Sequence, residues 1–351
     1  MMLTIIVAIL VIGIIIFVHE LGHFIIAKLS GIRVERFSIG YPPTMISKKI
    51  GETEYCIGWI PFGGYVKLTG ETPQENNSYE PSSFQAKPVG IRIAVLFAGP
   101  FMNIILGIVL IWAVFWGYGE SVPEYDVPKI GSTVINMPAQ ECGLSADDLI
   151  VAIDGDSVSS WEQMANIIHS KPNLPITITV QRGDSLFTVE CVPDERKITL
   201  EGNDTLVGMI GILPSSIQRK LPPGQAFLRS IQATITISFA VISFLGNLLV
   251  GKSSLSEIGG PVMIAQIAGQ SAKLGVWQLF MFIAALSINL ALLNLFPLPI
   301  LDGGQILLST IEAIRKKAIS LKTQAIFQQL SIAFLLALML LVTINDILRL
   351  F

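Results

Sequence analysis

Charged side chains are scarce in this sequence, and their scarcity excludes several classes of protein. Asp, Glu, Lys and Arg make up only 14% of the 351 residues, whereas 52% of the residues are hydrophobic. This composition is typical of an integral membrane protein with modest soluble parts, and not of two or three soluble domains. The net charge of −3 is small and no basic stripe with interleaved aromatic residues occurs, so we expect no nucleic-acid binding.

Cysteine is rare as well. The chain has three cysteines, Cys56, Cys142 and Cys191, and none of them stands in a CxxC spacing. This excludes a disulfide framework and a thiolate zinc site. Cys142 and Cys191 could pair if they lie outside the cytoplasm, but the favoured expectation is two buried free thiols.

Four segments are apolar and long enough to cross a bilayer, which requires about 20 residues. The first segment has neither a basic n-region nor a small-residue cleavage site, so we expect a retained transmembrane helix instead of a removed signal peptide. Residues 31–90 are rich in Gly and Pro and contain short β-type runs. For these residues we expect β-hairpins that lie at the membrane or dip into it.

Residues 121–200 differ in character from the rest of the chain. Short β-branched runs surround two helical stretches there, and the pattern of residues 138–144 followed by 147–155 resembles a bacterial PDZ domain. Domains of that family bind extended peptides or C-terminal segments by adding a strand to a sheet edge. A small β-rich cap without a ligand is the alternative.

Two of the three histidines lie inside an apolar run with a glutamate between them. His19, Glu20 and His23 directly follow the apolar residues 14–18. Positions i and i+4 of a helix share one face about a turn apart, so the two imidazoles can bind one divalent ion. The intervening glutamate is close enough to handle a proton of a water molecule at that ion. Ionisable groups are energetically unfavourable at membrane depth, so their presence indicates a functional site. The cluster therefore predicts zinc-dependent hydrolysis within a membrane.

Asp302 is the candidate for the third protein ligand that a catalytic zinc needs besides an open position for water. It follows an apolar helix that Pro297 and Pro299 interrupt, which places it on an irregular turn. The third histidine, His169, ends a predicted helix of the PDZ-like region. For His169, an interaction with the helix dipole is favoured over a role as a metal ligand. An N-cap role for Asp302 before a helix at 305–318 is the alternative.

Residues 226–250 are nearly long enough to cross the membrane, although they contain several Ser and Thr residues and an Asn. The histidines lie toward the C-terminal end of the first span, and Asp302 lies just past the C-terminal end of the third. All three must reach the same side of the membrane to share one ion, which allows one crossing between the PDZ-like region and Asp302. We therefore expect 226–250 to lie along the interface as an amphipathic helix.

Lysine and arginine are concentrated in the loop 28–92 and in the loop that follows Asp302. Basic loops stay in the cytoplasm, so the orientation of the chain follows from them. We expect the PDZ-like region to lie outside the cytoplasm and the metal to lie near the cytoplasmic leaflet.

The pairing of HELGH (residues 19–23) in the first helix with the NxxPxPxLDGG pattern of residues 294–304 resembles a known family. It is similar to the site-2 protease family of intramembrane zinc metalloproteases, peptidase family M50. The closer resemblance is to the bacterial regulator-of-sigma-E protease type, here with one PDZ domain. Further family-like stretches occupy residues 63–67, 98–103 and 260–262. Gln305 replaces the histidine often found after LDGG, a departure that leaves the expected ligand set intact.

The resemblance implies specific roles for matching residues of this sequence. His19, His23 and Asp302 would bind Zn²⁺, and Glu20 would be the acid/base. Asn289 and Asn294 match asparagines that the family uses near the substrate backbone, although hydrogen bonds between helices are the alternative for each. An extended substrate strand could pair with the edge that contains the residues Gly63, Gly64, Tyr65 and Val66.

The predicted function is cleavage of transmembrane segments in regulated intramembrane proteolysis at a bacterial inner membrane. By resemblance, the substrates are single-span membrane proteins such as anti-sigma factors, and signal-peptide remnants. A membrane metal transporter or an inactive PDZ-bearing scaffold is the alternative. Against a transporter, the sequence has no internal repeat, and simple coordination does not need Glu20.

The predicted fold is an α-helical integral membrane protein with four transmembrane helices, a membrane-associated β-hairpin region and an inserted α+β PDZ domain. Its predicted segments are a first transmembrane helix at 1–30, a cytoplasmic-side β region at 31–90, a second span at 91–118, the PDZ domain at 121–200, a linker with the interfacial helix at 201–275, a third span at 276–304, a cytoplasmic-side helix at 305–324 and a fourth span at 325–348.

Overall fold

The computed structural model describes residues 2–71, 80–134, 136–200, 203–254, 259–317 and 319–349. The chain divides into two compact units, one formed by Met1–Tyr118 with Pro222–Phe351 and the other by Gly119–Leu221. Parts of the predicted β region, PDZ domain, linker and cytoplasmic-side helix lie outside the described residues, namely 72–79, 135, 201–202, 255–258 and 318.

The described elements are given in chain order, with helices and strands numbered separately. They are α1 (Met2–Leu29), β1 (Val34–Ile50), β2 (Thr53–Leu68), α2 (Val89–Gly117), β3 (Glu120–Pro123), β4 (Ile130–Thr133), α3 (Pro138–Glu141), β5 (Leu149–Ile153), β6 (Asp156–Ser157), α4 (Trp161–His169), β7 (Ile176–Arg182), β8 (Ser185–Cys191), β9 (Asp194–Leu200), β10 (Asn203–Met209), β11 (Ile212–Pro214), β12 (Ser216–Arg219), α5 (Pro223–Leu249), α6 (Pro261–Leu274), α7 (Val276–Asn294), α8 (Asp302–Arg315) and α9 (Leu321–Leu348).

Five of the described helices, α1, α2, α5, α7 and α9, are long and apolar enough to cross a membrane. The shortest, α7, has 19 residues, which is about 28 Å at 1.5 Å per residue and close to the hydrocarbon thickness of a bilayer. Four of the five coincide with the predicted spans. The fifth, α5, covers the stretch for which the sequence predicts an interfacial position, and its length and composition permit a crossing.

Helix α2 packs against both α1 and α7 in the first unit. A Cβ atom on Gly22 of α1 would overlap the Ala98 carbonyl of α2, so the glycine allows the two backbones to approach closely. On the other side, the Ser287 hydroxyl of α7 donates to the Asn103 carbonyl of α2 at 2.9 Å. These contacts place α2 beside the segment of α1 that carries the two histidines.

Strands β1 and β2 form a curled hairpin instead of a simple two-stranded ribbon. Residues 34–39 pair on one side with 64–68 and on the other side with 54–57, while residues 44–50 pair with 53–58. Residues 34–39 are therefore central, and 64–68 form an outer edge. The distal part of the hairpin exposes apolar side chains, including Ile46, which is 59% exposed. Among the described residues of 31–90, one hairpin is thus present where the sequence predicts several, and it carries an exposed apolar surface.

The second unit is built around an antiparallel sheet with the strand order β6-β5-β7-β8. Alternate residues of β7 point inward, and Ile176, Ile178 and Val180 are fully buried against Met164 and Ile168 of α4. Strand β11 pairs with β4, and β12 pairs with β3. The unit therefore continues to Leu221 and includes residues that the sequence predicts to be a linker, because these late strands complete its pairing.

Cys142 and Cys191 form a disulfide in the second unit, so the expectation of two free thiols is corrected. Cys191 is buried in the core of the unit and Cys142 packs against that core, with 5.5 Å between their Cα atoms. This separation lies within the usual range for bridged cysteines. The bond joins the end of α3 to β8. The third cysteine, Cys56, is buried and free.

Candidate metal centre

Three side chains converge at one point of the first unit. His19 Nε2 lies 3.2 Å from His23 Nε2 and 3.2 Å from Asp302 Oδ2, and His23 Nε2 lies 3.6 Å from Asp302 Oδ1. The two histidines come from successive turns of α1, whereas Asp302 is the first residue of α8. Among the described residues, this is the group of His, Cys, Asp and Glu side chains that could hold a metal ion.

The spacing of the two imidazole nitrogens and the Asp302 carboxylate fits a zinc ion. Zinc–nitrogen and zinc–oxygen bonds are about 2.0–2.1 Å long, so neighbouring donors of a tetrahedral site are about 3.3 Å apart. The two imidazole nitrogens are 3.2 Å apart, and they lie 3.2 and 3.6 Å from the two different oxygens of the Asp302 carboxylate; these separations agree with that geometry. Two imidazoles and one carboxylate are also a ligand set typical of catalytic zinc, which keeps its fourth position for water or substrate.

Helix α2 contacts the outer nitrogen of each imidazole. His23 Nδ1 lies 2.8 Å from the Val95 carbonyl oxygen, and His19 Nδ1 lies 3.4 Å from Asn103 Nδ2. Gly99 lies between these two residues at helical i+4 spacing, and a Cβ atom there would overlap the imidazole of His23. The stripe formed by Val95, Gly99 and Asn103 therefore matches the one-turn spacing of the histidines.

The chain brings Asp302 to the histidines through a tight reversal after α7. Helix α7 ends at Asn294, and α8 begins at Asp302 with Leu301 as its N-cap residue. Asp302 is thus the first helical residue and not the N-cap, and its helix begins three residues earlier than the sequence predicts. Cβ atoms on Gly303 and Gly304 would overlap backbone carbonyls of the reversal, so only glycine permits this close return.

Gln305 holds the same reversal from the side of α8. Its Nε2 donates to the Pro299 carbonyl at 2.7 Å. This bond satisfies a backbone acceptor that the interrupted helix leaves free. The Gln305 side chain therefore stabilises the loop that precedes Asp302. It is not one of the three side chains that converge at the candidate metal site.

The metal donors open onto a cavity of about 1070 Å³. Most residues that the sequence predicts to contact substrate line it, namely Gly63, Gly64, Tyr65, Val66 and Asn294. Asn294 Nδ2 lies 3.3 Å from His19 Nε2, so the amide is next to the metal donors. Asn289 is not among the lining residues, and its Oδ1 is buried without a hydrogen-bond partner in the described part of the chain.

Glu20 lines the cavity on the side of strand β2. A Cβ atom on Gly64 would lie 3.5 Å from Glu20 Cγ, and the backbone N–H of Val66 is directed at the Glu20 carboxylate. The side chains of neighbouring helical residues point about 100° apart. Glu20 therefore faces the strand edge, while the two histidines face Asp302. The carboxylate thus lies beside the edge strand and lines the same cavity as the two histidines and Asp302.

A buried ion pair forms the wall of the cavity away from the metal donors, and sequence reasoning missed it. Arg92 Nη1 of α2 lies 3.3 Å from Glu312 Oε2 of α8, and Glu312 Oε1 accepts the backbone N–H of Ile319 at 3.1 Å. All three residues line the cavity. This ion pair could not be predicted from the sequence, because residues 92 and 312 are far apart in the chain and no local pattern links them.

Two relatives with zinc metalloprotease or sigma-regulator protease names, and one solved PDZ domain, are similar to this chain. Zinc metalloprotease RasP of Bacillus licheniformis is 32% identical to the chain over 99% of both proteins. Regulator of sigma-W protease RasP of Bacillus subtilis is 30% identical, again over 99% of both. The PDZ domain of an SdrC-like protein from Listeria monocytogenes is 29% identical and covers 25% of this chain and 86% of its own, with a TM-score of 0.20.

The family comparison covers nearly the whole chain. The model of peptidase family M50 matches residues 7–338, which include both histidines and Asp302. Together with the zinc metalloprotease relatives, this match makes the protein a membrane zinc metallopeptidase. The chain belongs to peptidase family M50.

Proposed function

We propose that the protein cleaves transmembrane segments of single-span membrane proteins within a bacterial inner membrane, as part of regulated intramembrane proteolysis. The observation that carries this proposal is the convergence of His19, His23 and Asp302 beside Glu20, at the wall of a large cavity. Helix α1, which carries three of these residues, is otherwise almost wholly apolar. Ionisable groups in such a helix indicate a functional site.

The ligand atoms in this proposal are Nε2 of His19, Nε2 of His23 and the Asp302 carboxylate. Zinc, when bound, supplies a Lewis acid that polarises the scissile carbonyl and makes water more acidic. Glu20 accepts a proton from the attacking water and delivers it to the nitrogen of the leaving amine. Asn294, next to His19, donates its amide hydrogen to an oxygen of the substrate backbone.

A transmembrane helix must unwind before it can be cleaved, because its carbonyls are hydrogen-bonded within the helix. Residues 64–68 support a route for this step, since one side of this edge pairs with 34–39 while several of its residues line the cavity. An extended substrate segment would add a strand along that edge and lie between β2 and the metal donors. The strand edge would thus supply backbone hydrogen-bond partners that replace the intrahelical hydrogen bonds lost when the substrate unwinds.

The proposed orientation places the second unit outside the cytoplasm. The loop 28–92 is rich in Lys and Arg, which favours a cytoplasmic position. The disulfide between Cys142 and Cys191 favours an oxidising compartment for the second unit. We propose that this unit is a PDZ domain that binds an extended peptide or a C-terminal segment.

We propose that α5 does not complete a membrane crossing. Trp112 Nε1 near the end of α2 donates to the Pro223 carbonyl at 3.0 Å, so α5 begins beside the end of α2. The ring of Tyr118 stacks on Trp277, which places the beginning of α7 at the same end. If α5 crossed the membrane, the chain would have to cross back before α7 begins. The described helix between them is α6, which has 14 residues and is about 21 Å long. That length is too short for a bilayer, and lipid excludes unpaired backbone.

The test of the proposed function is cleavage of a single-span model substrate by the full chain in lipid vesicles. We expect Glu20→Gln to retain zinc and to lose cleavage, and Asp302→Asn to lose both. Glu52→Gln is the matched control, because Glu52 lies exposed at the turn between β1 and β2. Cleavage by Glu20→Gln at the wild-type rate would exclude the assignment. Uptake of Zn²⁺ into vesicles without cleavage would indicate a transporter instead.

A further inference from the structure

The second nitrogen of His19 determines whether its imidazole can bind a metal. A neutral imidazole carries one hydrogen, on either Nδ1 or Nε2. Nε2 faces the other metal donors and must be free of hydrogen when it binds zinc. Nδ1 then carries the hydrogen and requires an acceptor, which in zinc proteins is usually a carboxylate, a backbone carbonyl or water.

Asn103 is the residue that faces His19 Nδ1. Its Nδ2 lies 3.4 Å from that nitrogen, and the asparagine is fully buried. Its Oδ1 has no hydrogen-bond partner among the described residues. With Nδ2 as the donor, Nδ1 must accept and the hydrogen of the imidazole sits on Nε2, which cannot then bind a metal.

A half-turn of the Asn103 amide resolves this conflict. The amide oxygen and nitrogen are nearly equal in size, so they exchange places without any movement of the backbone. Oδ1 then faces His19 Nδ1 and accepts its hydrogen. The orphaned oxygen gains a partner, and Nε2 is left free for the metal.

We propose that Asn103 is a positioning residue of the zinc site, whose Oδ1 accepts the Nδ1–H of His19 when the metal is bound. The inference rests on the proposed zinc site. It makes the support of the two histidines equivalent, since the Val95 carbonyl already faces His23 Nδ1 at 2.8 Å. Of these two acceptors, Asn103 is a side chain and can be changed by substitution.

The same asparagine links the histidine helix to the helix that leads to the third ligand. The Asn103 carbonyl accepts the Ser287 hydroxyl of α7, while its side chain contacts His19 of α1. The backbone contact and the side-chain contact can therefore be removed separately. Ser287→Ala removes the first and leaves the second, which makes it the matched control.

The experiment measures the zinc dissociation constant of the full chain in detergent, by competition with a chelator. We expect Asn103→Leu to weaken zinc binding about 10- to 100-fold, the usual effect of losing an outer hydrogen-bond partner. Asn103→Asp keeps an acceptor and is expected to bind zinc at least as tightly as the wild type. Ser287→Ala is expected to match the wild type. The visible spectrum of bound Co²⁺ reports whether the ligand geometry changes with the affinity.

Two outcomes would overturn the inference while leaving the proposed protease intact. One is wild-type zinc affinity in Asn103→Leu, and the other is weakened affinity in Asn103→Asp. The aspartate variant decides alone if the leucine variant fails to fold, as judged by thermal unfolding of the zinc-free proteins. A wild-type chain that binds no zinc would contradict the proposed function itself.

Discussion

The carboxylate of Asp346 accepts the backbone N–H of Gly260 at 3.0 Å, and its second oxygen accepts the N–H of Met263 at the same distance. Asp346 lies near the end of α9 and is only 3% exposed. The first N–H groups of a helix have no partner within it, and Gly260 has no side chain with which to cap α6. A residue of α9 therefore caps α6, which in turn packs against α1 and α7.

Loss of the Asp346 carboxylate should detach α9 from α6. Asp346→Leu leaves the N–H groups of Gly260 and Met263 without this acceptor, and an unpaired buried N–H costs about 1–3 kcal/mol. Asp346→Asn keeps one acceptor and should cost less. Unfolding of the full chain in mixed detergent micelles measures the difference in the free energy of unfolding. Thr343→Ala is the control, because the Thr343 hydroxyl makes an exposed hydrogen bond to the Met339 carbonyl one turn earlier in the same helix; equal stability of all three variants would contradict the capping role.

Gly99→Ala should abolish zinc binding although it adds a single methyl group. A Cβ atom at this position would overlap the imidazole of His23 and lie 2.9 Å from His19 Cε1. Both imidazole rings would therefore have to move away from the proposed zinc position. Bound zinc, measured by elemental analysis of the purified protein, should fall well below one per chain. Gly90→Ala tests the same change in the same helix at a site with open space. Full zinc content in Gly99→Ala would show that α2 is not held against the histidines.

The convergence of His19, His23 and Asp302 was predictable from sequence, because HELGH in an apolar helix and LDGG after a broken helix have local signatures. The contacts of α2 were not predictable, because α2 is apolar on nearly every side. Such a helix does not show from its sequence which residues face a neighbour. Asn103 could have been suspected, since it is a polar residue of an apolar helix and stands one helical turn after Gly99. The pattern alone could not connect it to His19.

The long helices were predictable where apolar residues dominate a long stretch of sequence, as in α1 and α9. The strands that complete the second unit were missed, because β11 and β12 pair with β4 and β3, more than 70 residues earlier in the chain. The role of Asp346 was missed for the same reason, since its partner Gly260 is distant in sequence. Long-range pairing depends on the completed fold and leaves no periodic signal in a short window of sequence.

The stability of the second unit should fall at low pH through Asp148. Burial alone would raise the pKa of this carboxyl, but hydrogen bonds from Arg182 and from the Ser145 amide outweigh burial and lower the pKa below its ordinary value of 3.8. A carboxylate whose pKa is lower in the folded state stabilises the fold above pH 3.8 and loses that contribution as the pH falls through the folded value. Hydrogen exchange of the β7 amides in the full chain measures this loss.

The matched variants for this test are Asp148→Asn and Asp156→Asn. Asp148→Asn should destabilise the unit at neutral pH and reduce the loss of stability at low pH, because asparagine does not titrate. Asp156 is exposed on β6, so Asp156→Asn should leave both properties unchanged. A loss of stability at low pH that is the same in Asp148→Asn and in the wild type would assign it to other groups.

The disulfide should protect both of its cysteines from thiol reagents in intact cells. The bond between Cys142 and Cys191 leaves neither thiol free, and Cys56 is buried. In a Cys56→Ser background, a membrane-impermeant maleimide should label nothing until a membrane-impermeant reductant is added, and should then label Cys142, because Cys191 stays buried in the core. Labelling before reduction would show that the bond does not form. Labelling that requires both reduction and permeabilised membranes would place the second unit in the cytoplasm and reverse the proposed orientation, because neither reagent crosses an intact membrane.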